Sequence, residues 1–169
     1  SAPPSWKEVS AKLGKSPDAG VREDARLLGL VFGDEIAIKA TRSRALDAKV
    51  PIEERRRALG VLVEKKAQGL GDDLKVLLHD DALRIDALRG MAVFGGSDVP
   101  ELVLARYGKL KNSEKREAVQ MLVSRPAYAE VLLEALAAGV VPRSDVSVFA
   151  ARQILGLGND KLNARLKEL

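Results

Sequence analysis

The chain has 169 residues, of which 46% are apolar, 4% aromatic and 31% charged, and its formal net charge is +4. It contains no cysteine, which excludes disulfides, thiolate catalysis, Cys-ligated zinc and covalent haem attachment within this chain. No apolar run approaches the ~20 residues that a membrane-spanning helix needs, so we predict no membrane span. With so few aromatic residues, the core must consist of Leu, Ala and Val, which is typical of closely packed helices.

Apolar residues recur with the helical period along almost the whole chain. The longest stripe is formed by Val146, Phe149, Ala150, Ile154 and Leu157, and it predicts that these side chains face the core. No segment alternates convincingly as a half-buried strand does. The pattern predicts an all-α fold of about eleven helices, at roughly 4–13, 17–32, 34–48, 51–68, 72–79, 82–94, 98–107, 113–124, 126–138, 143–156 and 159–169.

Polar residues at predicted helix starts have the spacing of helix caps. Ser5 with Glu8, and Asp98 with Glu101, match the capping box, in which each side chain accepts a hydrogen bond from a free backbone N–H. In the connector VPRSD (141–145), we expect Ser144 or Asp145 to cap the helix that follows. These positions predict where the helices begin.

A repeat runs through the chain. One hairpin of two helices cannot bury both of its faces, so hairpins stack, and a recurrent small residue lets neighbouring helices approach closely. Such alanines are Ala25, Ala58, Ala87, Ala118 and Ala151, each followed by a second apolar helix. A non-repetitive helical bundle is the alternative. We predict one domain, 1–169, forming an α-solenoid of about five HEAT-like helical hairpins, with a capping helix in 1–16 and repeats near 17–48, 51–79, 82–107, 113–138 and 143–169.

The end of the chain supports a more specific comparison. The string SRPAYAEVLLEALAAGVVPRSDVSVFAARQILGLGNDKLNARLKEL (124–169) resembles the helical-repeat segment of large proteins of planctomycete and verrucomicrobial type. In those proteins a sugar-dehydrogenase-like β-propeller precedes the repeats and a small c-type haem domain follows them. The residues that carry the resemblance are Ser124, Arg125, Pro126, Leu132, Leu133, Pro142, Arg143, Asp145, Phe149, Ala151, Arg152, Gln153, Leu157 and Gly158.

This resemblance implies that the chain is a connector module from a larger exported protein, which would place it outside the cytoplasm. It also implies a protein partner, namely adjacent domains of the same polypeptide. A c-type haem needs two cysteines beside a ligating histidine, and this chain has no cysteine, so we expect no haem within it.

The titratable residues do not predict a catalytic or metal site. His79, the sole histidine, lies beside Asp80 and Asp81 in LLHDD, and we expect a helix-end histidine rather than a metal ligand. Asp72 and Asp73 are expected at a helix N-terminus, where negative charge is favourable. We therefore predict no catalytic residue, no cofactor site and no metal site.

A basic cluster favours a second kind of function, binding of nucleic acid. It comprises Arg55, Arg56 and Arg57, preceded by Lys39, Arg42, Arg44 and Lys49. Arginine pairs well with phosphate, and some DNA-repair enzymes are built from helical repeats. However, a more acidic segment follows the cluster, and nearby glutamates can pair with it across a helical turn. We expect a solvated face rather than a surface that binds nucleic acid.

Four residues near the C-terminus have no evident role in capping or in the apolar stripe. They are Arg125, Tyr128, Arg143 and Arg152. Our hypothesis is that they either tie the last repeats together or face a neighbouring domain. We therefore expect a non-catalytic helical-repeat scaffold or protein-interaction module; the alternative is a nucleic-acid-binding HEAT-like protein, possibly a DNA-repair enzyme.

Overall fold

The computed structural model describes residues 3–169, and all regular secondary structure in that range is helical, which confirms the all-α prediction. Residues 1 and 2, at the start of the predicted capping segment, lie outside the described residues. The helices are α1 (Trp6–Leu13), α2 (Ala19–Phe32), α3 (Glu35–Leu46), α4 (Ile52–Glu64), α5 (Leu70–Leu77), α6 (Arg84–Phe94), α7 (Val99–Leu104), α8 (Asn112–Leu122), α9 (Pro126–Ala137), α10 (Val148–Gly156) and α11 (Asp160–Glu168). Short 3₁₀ turns occupy Tyr107–Lys109 and Arg143–Asp145.

The chain forms two compact units, Ser1–Leu70 and Gly71–Leu169. The single repeat domain expected from the sequence stays a prediction. In the first unit α1 packs on α2, α2 on α3 and α3 on α4. The approach of α2 to α3 is close, because a Cβ added at Gly29 would lie 2.7 Å from the Cβ of Ala37. A larger residue at Gly29 would therefore push these two helices apart.

Trp6 anchors the N-terminal helix to the rest of the first unit. Its indole Nε1 donates a hydrogen bond to Asp34 Oδ2 at 3.0 Å. Its ring meets Phe32 edge-on, with the ring centroids 4.9 Å apart. Because the indole is buried and its polar N–H is satisfied, α1 is held by both apolar and polar contacts.

In the second unit, the helices pack on partners one and two elements away. Helix α8 packs on α6 and α9, α9 packs on α7 and α11, and α10 packs on α11. The core is aliphatic, as expected from the shortage of aromatic residues. Its fully buried leucines include Leu74, Leu78, Leu83, Leu88, Leu122 and Leu132.

Four of the five alanines that the repeat predicts are buried. In the fifth repeat, the buried alanine lies one residue before the predicted one. Ala25, Ala58, Ala87 and Ala118 are at most 6% exposed. In α10 the fully buried alanine is Ala150, whereas Ala151 is half-buried. The residue four positions after the buried alanine is also buried in α2, α4, α6, α8 and α10.

The phase of α10 also corrects the prediction for Phe149. With Ala150 and Ile154 turned inward, Phe149 lies on the outer side of the helix and its exposed fraction is 64%. Of the stripe expected from the sequence, Ala150 and Ile154 face the core and Phe149 faces outward, whereas Val146 and Leu157 lie beyond the ends of α10.

All three predicted caps are wrong. Ser5 and Asp98 make no side-chain cap hydrogen bond. Asp98 instead pairs with Lys75, its Oδ2 lying 2.8 Å from the ammonium nitrogen. After the connector 141–145, the cap is Ser147, whose hydroxyl oxygen accepts a hydrogen bond from the N–H of Ala150 at 3.1 Å. The cap expected at Asp98 is thus replaced by an ion pair, and the cap expected in the connector is replaced by Ser147.

Candidate functional site

A basic residue stands three positions before each of the four buried alanines in α2, α4, α6 and α8. These residues are Arg22, Arg55, Arg84 and Lys115. Sequence reasoning missed this pattern, although its signature, Arg or Lys followed three residues later by Ala, is visible in the chain.

The three arginines of this pattern bond backbone carbonyls that precede their own helix. Arg22 Nη1 donates to the carbonyl oxygens of Ser16 and Pro17 at 2.6 and 2.9 Å. Arg55 Nε donates to Ala45 O at 3.0 Å, and Arg84 Nε donates to Leu78 O at 2.8 Å. Each guanidinium therefore ties the start of a helix to the segment before it.

Arg84 and Glu114 form a buried ion pair between α6 and α8. Arg84 Nη1 lies 2.8 Å from Glu114 Oε1, and only 8% and 4% of the two side chains are exposed. Arg84 also contacts the exposed carboxylate of Asp81. The other Glu114 oxygen, Oε2, accepts a hydrogen bond from the N–H of Lys111 at 2.8 Å. One carboxylate therefore caps α8 and pairs with α6.

The surroundings of Glu114 favour its charged form. Burial alone raises the pKa of its carboxyl, but the Lys111 N–H and the Arg84 guanidinium outweigh burial and hold that pKa below the ordinary 4.5. Glu114 is therefore a charged structural group at neutral pH, because both of its oxygens are engaged.

The connector 141–145 is joined to the body of the second unit through Asp145. Its Oδ2 accepts a hydrogen bond from the buried Tyr107 hydroxyl at 3.0 Å and lies 3.6 Å from Lys115 Nζ. Lys115 Nζ also stands 5.3 Å from the centroid of the Tyr107 ring. Burial raises the pKa of Tyr107 above its ordinary value, and the hydrogen bond to Asp145 adds to the rise. Asp145 thus joins the connector to α8 rather than capping α10.

Arg125 and Tyr128 lie together against the last turn of α6 and the loop that follows it. The Tyr128 hydroxyl donates to Gly96 O at 2.8 Å, and Arg125 Nη2 donates to Ala92 O. The guanidinium carbon lies 4.8 Å from the Tyr128 ring centroid. Gly95 has φ 78°, and a Cβ there would clash with the Arg125 guanidinium. These contacts join α9 to the α6–α7 loop.

Arg143 and Arg152 differ from that pair. Both side chains are exposed, and neither guanidinium has a hydrogen-bond or ion-pair partner within residues 3–169. The four predicted residues therefore do not form one set of contacts. Arg125 and Tyr128 take part in packing, whereas Arg143 and Arg152 face outward.

The outer side of α10 combines Arg152 with apolar residues. Val148, Phe149 and Leu155 are 70%, 64% and 44% exposed. With Arg152 they occupy positions i, i+1, i+4 and i+7, which lie on one side of a helix. This surface, defined by Val148, Phe149, Arg152 and Leu155, is called the α10 face below. Apolar side chains grouped on one exposed helix face mark a candidate contact surface.

The acidic and histidine residues do not assemble into a metal site in the described part of the chain. Residues 3–169 contain no group of three or more His, Asp and Glu side chains placed to hold an ion. His79 is exposed after the end of α5, with its Nδ1 2.9 Å from Arg106 Nη1. Asp81 is bound to Arg84, and Asp72 lies 3.6 Å from Lys75. The carboxylates with these contacts have structural partners.

Part of the basic cluster of the first unit is used internally. Arg55 is 5% exposed, so its prediction as part of a solvated face is wrong. Arg42 donates weakly to Gln68 O and Gly69 O at 3.5 and 3.4 Å. Arg44 pairs with Glu23 at 3.4 Å, and Arg56 pairs with Glu53 at 2.8 Å. These bonds hold several of the cationic groups against the unit itself.

The first unit also has a groove between α1, α2 and α3, with a volume of about 670 Å³. Its lining includes Trp6, Arg22, Phe32, Ile36 and Ala40. Two of the polar groups at the groove are already bonded, because Trp6 donates to Asp34 and Arg22 donates to backbone carbonyls. None of the four predicted residues, Arg125, Tyr128, Arg143 and Arg152, lines this groove.

Among residues 3–169, no helix combines the length and the apolar character that crossing a membrane requires. Comparisons of the chain with protein-family models, with curated proteins and with solved structures gave no match.

Proposed function

We propose that this chain is a non-catalytic interaction module, an α-solenoid of five HEAT-like hairpins whose outer surfaces engage protein. The first helices of the hairpins would be α2, α4, α6, α8 and α10, and the second helices α3, α5, α7, α9 and α11. The observation that carries this proposal is a unit that recurs in α2, α4, α6 and α8. In each of these helices, a buried alanine stands three positions after a basic residue, and that basic residue bonds backbone carbonyls or pairs with an acidic side chain. A repeated structural unit of this kind is typical of stacked hairpins.

The chemistry of the charged groups supports an interaction role over catalysis. Catalytic acids and bases work in clefts with a substrate position beside them. Here Glu114, Asp145 and Tyr107 bond other side chains or the backbone of the same unit. By contrast, the α10 face offers apolar area and a cation to the outside. The resemblance of 124–169 to repeat segments of larger proteins adds adjacent domains of the same polypeptide as candidate partners.

The experiment is cross-linking of the tagged full chain in the cells that express it, followed by mass spectrometry of the adducts. Each captured protein is then purified, and its binding to the full chain is measured by isothermal titration calorimetry. We expect a protein that binds with a Kd of about 10 µM or tighter, equivalent to about −7 kcal/mol.

The same cross-linked adducts and the purified chain also test the alternative function, binding of nucleic acid. If the adducts disappear after nuclease treatment, and the purified chain retards duplex DNA with an affinity that falls steeply with salt, then the chain binds nucleic acid. That result would overturn the proposed function. Failure of every captured protein to bind in calorimetry would also overturn it.

A further inference from the structure

We propose that the α10 face docks an amphipathic helix of a partner protein whose apolar stripe is flanked by carboxylates. This inference rests on the proposed function and adds the place and the chemistry of the contact. Its first support is geometric. Three exposed apolar side chains and one arginine lie on the same side of a nine-residue helix, so a second helix could cover them together.

The α10 face differs from the equivalent positions of the other first helices, although α2 also carries exposed Leu27, Leu28 and Val31. In each first helix, the two residues before the buried alanine can be compared. They are Glu23-Asp24 in α2, Arg56-Arg57 in α4, Ile85-Asp86 in α6, Arg116-Glu117 in α8 and Val148-Phe149 in α10. Only α10 has no charged residue in this pair, and both of its residues are more than 60% exposed. The repeat alone therefore does not explain the exposed Phe149.

The charge on the face selects the partner. Arg152 lies within the apolar group and Arg143 precedes the helix, and neither has an ion-pair partner within residues 3–169. Helix α10 itself contains no Asp or Glu. The nearby Asp145 is already engaged by Tyr107 and Lys115. A partner that covers the face must therefore supply carboxylates, since a buried arginine without a counter-charge is strongly unfavourable.

The same argument disfavours a second copy of this chain as the occupant. A symmetric dimer brings the same patch of both copies together. Two α10 faces would then place two Arg152 side chains in one interface with no acidic residue from either α10. Like charges in such a place repel, whereas an acidic helix neutralises them. The structure therefore favours a partner of different sequence.

The probes are two fluorescein-labelled synthetic helical peptides of roughly 18 residues, or five turns. They share one leucine stripe at i, i+3, i+4 and i+7, which is flanked by Glu in one peptide and by Lys in the other. Binding to the full chain is followed by fluorescence anisotropy at about 0.15 M salt, where distant charges are screened. We expect the Glu peptide to bind at least tenfold tighter than the Lys peptide.

Three variants of the full chain test the face. Phe149→Ser should weaken the Glu peptide about tenfold, because the apolar contact of the ring is lost. Arg152→Glu should abolish the preference for the Glu peptide and favour the Lys peptide. Val76→Ser is the matched control, since Val76 is 65% exposed on α5 and is not part of the α10 face, and should leave both affinities unchanged. Circular dichroism confirms that each variant retains its helical content.

Equal binding of the two peptides, no binding of either, or no effect of Phe149→Ser would overturn the docking proposal. So would sedimentation showing a dimer of the full chain that Phe149→Ser dissolves, because the occupant would then be a second copy. If the cross-linked partner still binds Phe149→Ser and Arg152→Glu with unchanged affinity, the docking proposal fails and the proposed function stands. If the Glu peptide binds as expected but no cellular protein binds the chain, the proposed function fails instead.

Discussion

Removal of the Glu114 carboxylate should destabilise the second unit more than the loss of any exposed ion pair. In Glu114→Ala, the buried Arg84 guanidinium loses its buried partner, and the Lys111 N–H loses its acceptor. Breaking a buried pair by removing one partner costs about 3–5 kcal/mol. Arg84 keeps Leu78 O and the exposed Asp81, so we take about 3 kcal/mol.

Urea unfolding of the full chain, followed by circular dichroism, measures this loss. With a denaturant slope of about 1–2 kcal/mol/M, the midpoint should fall by about 1.5–3 M. The control is Arg89→Ala, which removes a pair with Glu117 in which 61% of the arginine side chain is exposed. An exposed pair contributes about 0.2–1 kcal/mol, so this midpoint should fall by less than about 1 M.

A double variant separates the effect of the lost ion pair from the effect of the lost side-chain volume. In Arg84→Met with Glu114→Leu, both charges are replaced by apolar side chains of similar size, a change that is often neutral or stabilising in buried pairs. We expect it to recover more than half of the stability lost in Glu114→Ala. The reasoning is refuted if Glu114→Ala lowers the midpoint no more than Arg89→Ala does.

The same pair predicts a pH dependence. The folded pKa of Glu114 lies below the ordinary 4.5, so its contribution to stability is present above pH 4.5 and is lost as the pH falls through the folded pKa. Glu114→Gln removes the titrating group. The stability difference between the natural chain and Glu114→Gln, measured in urea, should shrink as the pH is lowered from 6 toward 3, and a constant difference would contradict this.

Three further predictions concern the α9 contacts and the two tyrosines. Arg125→Ala should lower the stability by about 1–2 kcal/mol in thermal unfolding, because the hydrogen bond to Ala92 O and the contact with the Tyr128 ring are lost. Arg152→Ala should change the stability by less than about 0.5 kcal/mol. Equal effects of the two substitutions would contradict the different roles assigned to these arginines. Gly95→Ala should cost about 1–3 kcal/mol, because an L side chain at φ 78° is strained and meets Arg125; an unchanged melting temperature would refute this. Burial raises the pKa of Tyr107 and of Tyr128 above the ordinary 10.0. Near-ultraviolet absorbance of the folded chain just above pH 10.0 should therefore show little tyrosinate until denaturant is added. Titration of both tyrosines at the ordinary pKa in the folded chain would contradict their burial.

The all-α fold was predictable because it depends on local patterns. Helical periodicity and terminators act within a few residues, and the helices lie close to the predicted ranges. The phase of α10 was harder, since Ala150 and Ala151 are adjacent and both suit a buried small position. Periodicity also predicts that Phe149 is a core residue, although it is exposed. The sequence alone does not distinguish an apolar residue on the outer face of a helix from one on the inner face.

The side-chain contacts of the second unit and the exposure of the α10 face were less predictable, because both depend on how distant parts of the chain pack. Glu114 lies 30 residues from Arg84, and Tyr107 lies 38 residues from Asp145. No local spacing rule connects such residues. The exposure of Arg143 and Arg152 likewise follows from how the last helices pack. The recurrence of a basic residue three positions before the buried alanines of α2, α4, α6 and α8 is visible in the sequence.

Distances between equivalent positions on successive first helices test the solenoid most directly. Arg89, Gln120 and Arg152 each follow the buried alanine of α6, α8 or α10 by two residues. The chain has no cysteine, so pairs of Cys substitutions at these positions can carry spin labels without other changes. In a solenoid, each step is about 10 Å, the spacing of packed helices, and the distance from α6 to α10 is about twice the distance from α6 to α8. A distance from α6 to α10 no longer than that from α6 to α8 would indicate a closed bundle and contradict the proposed architecture.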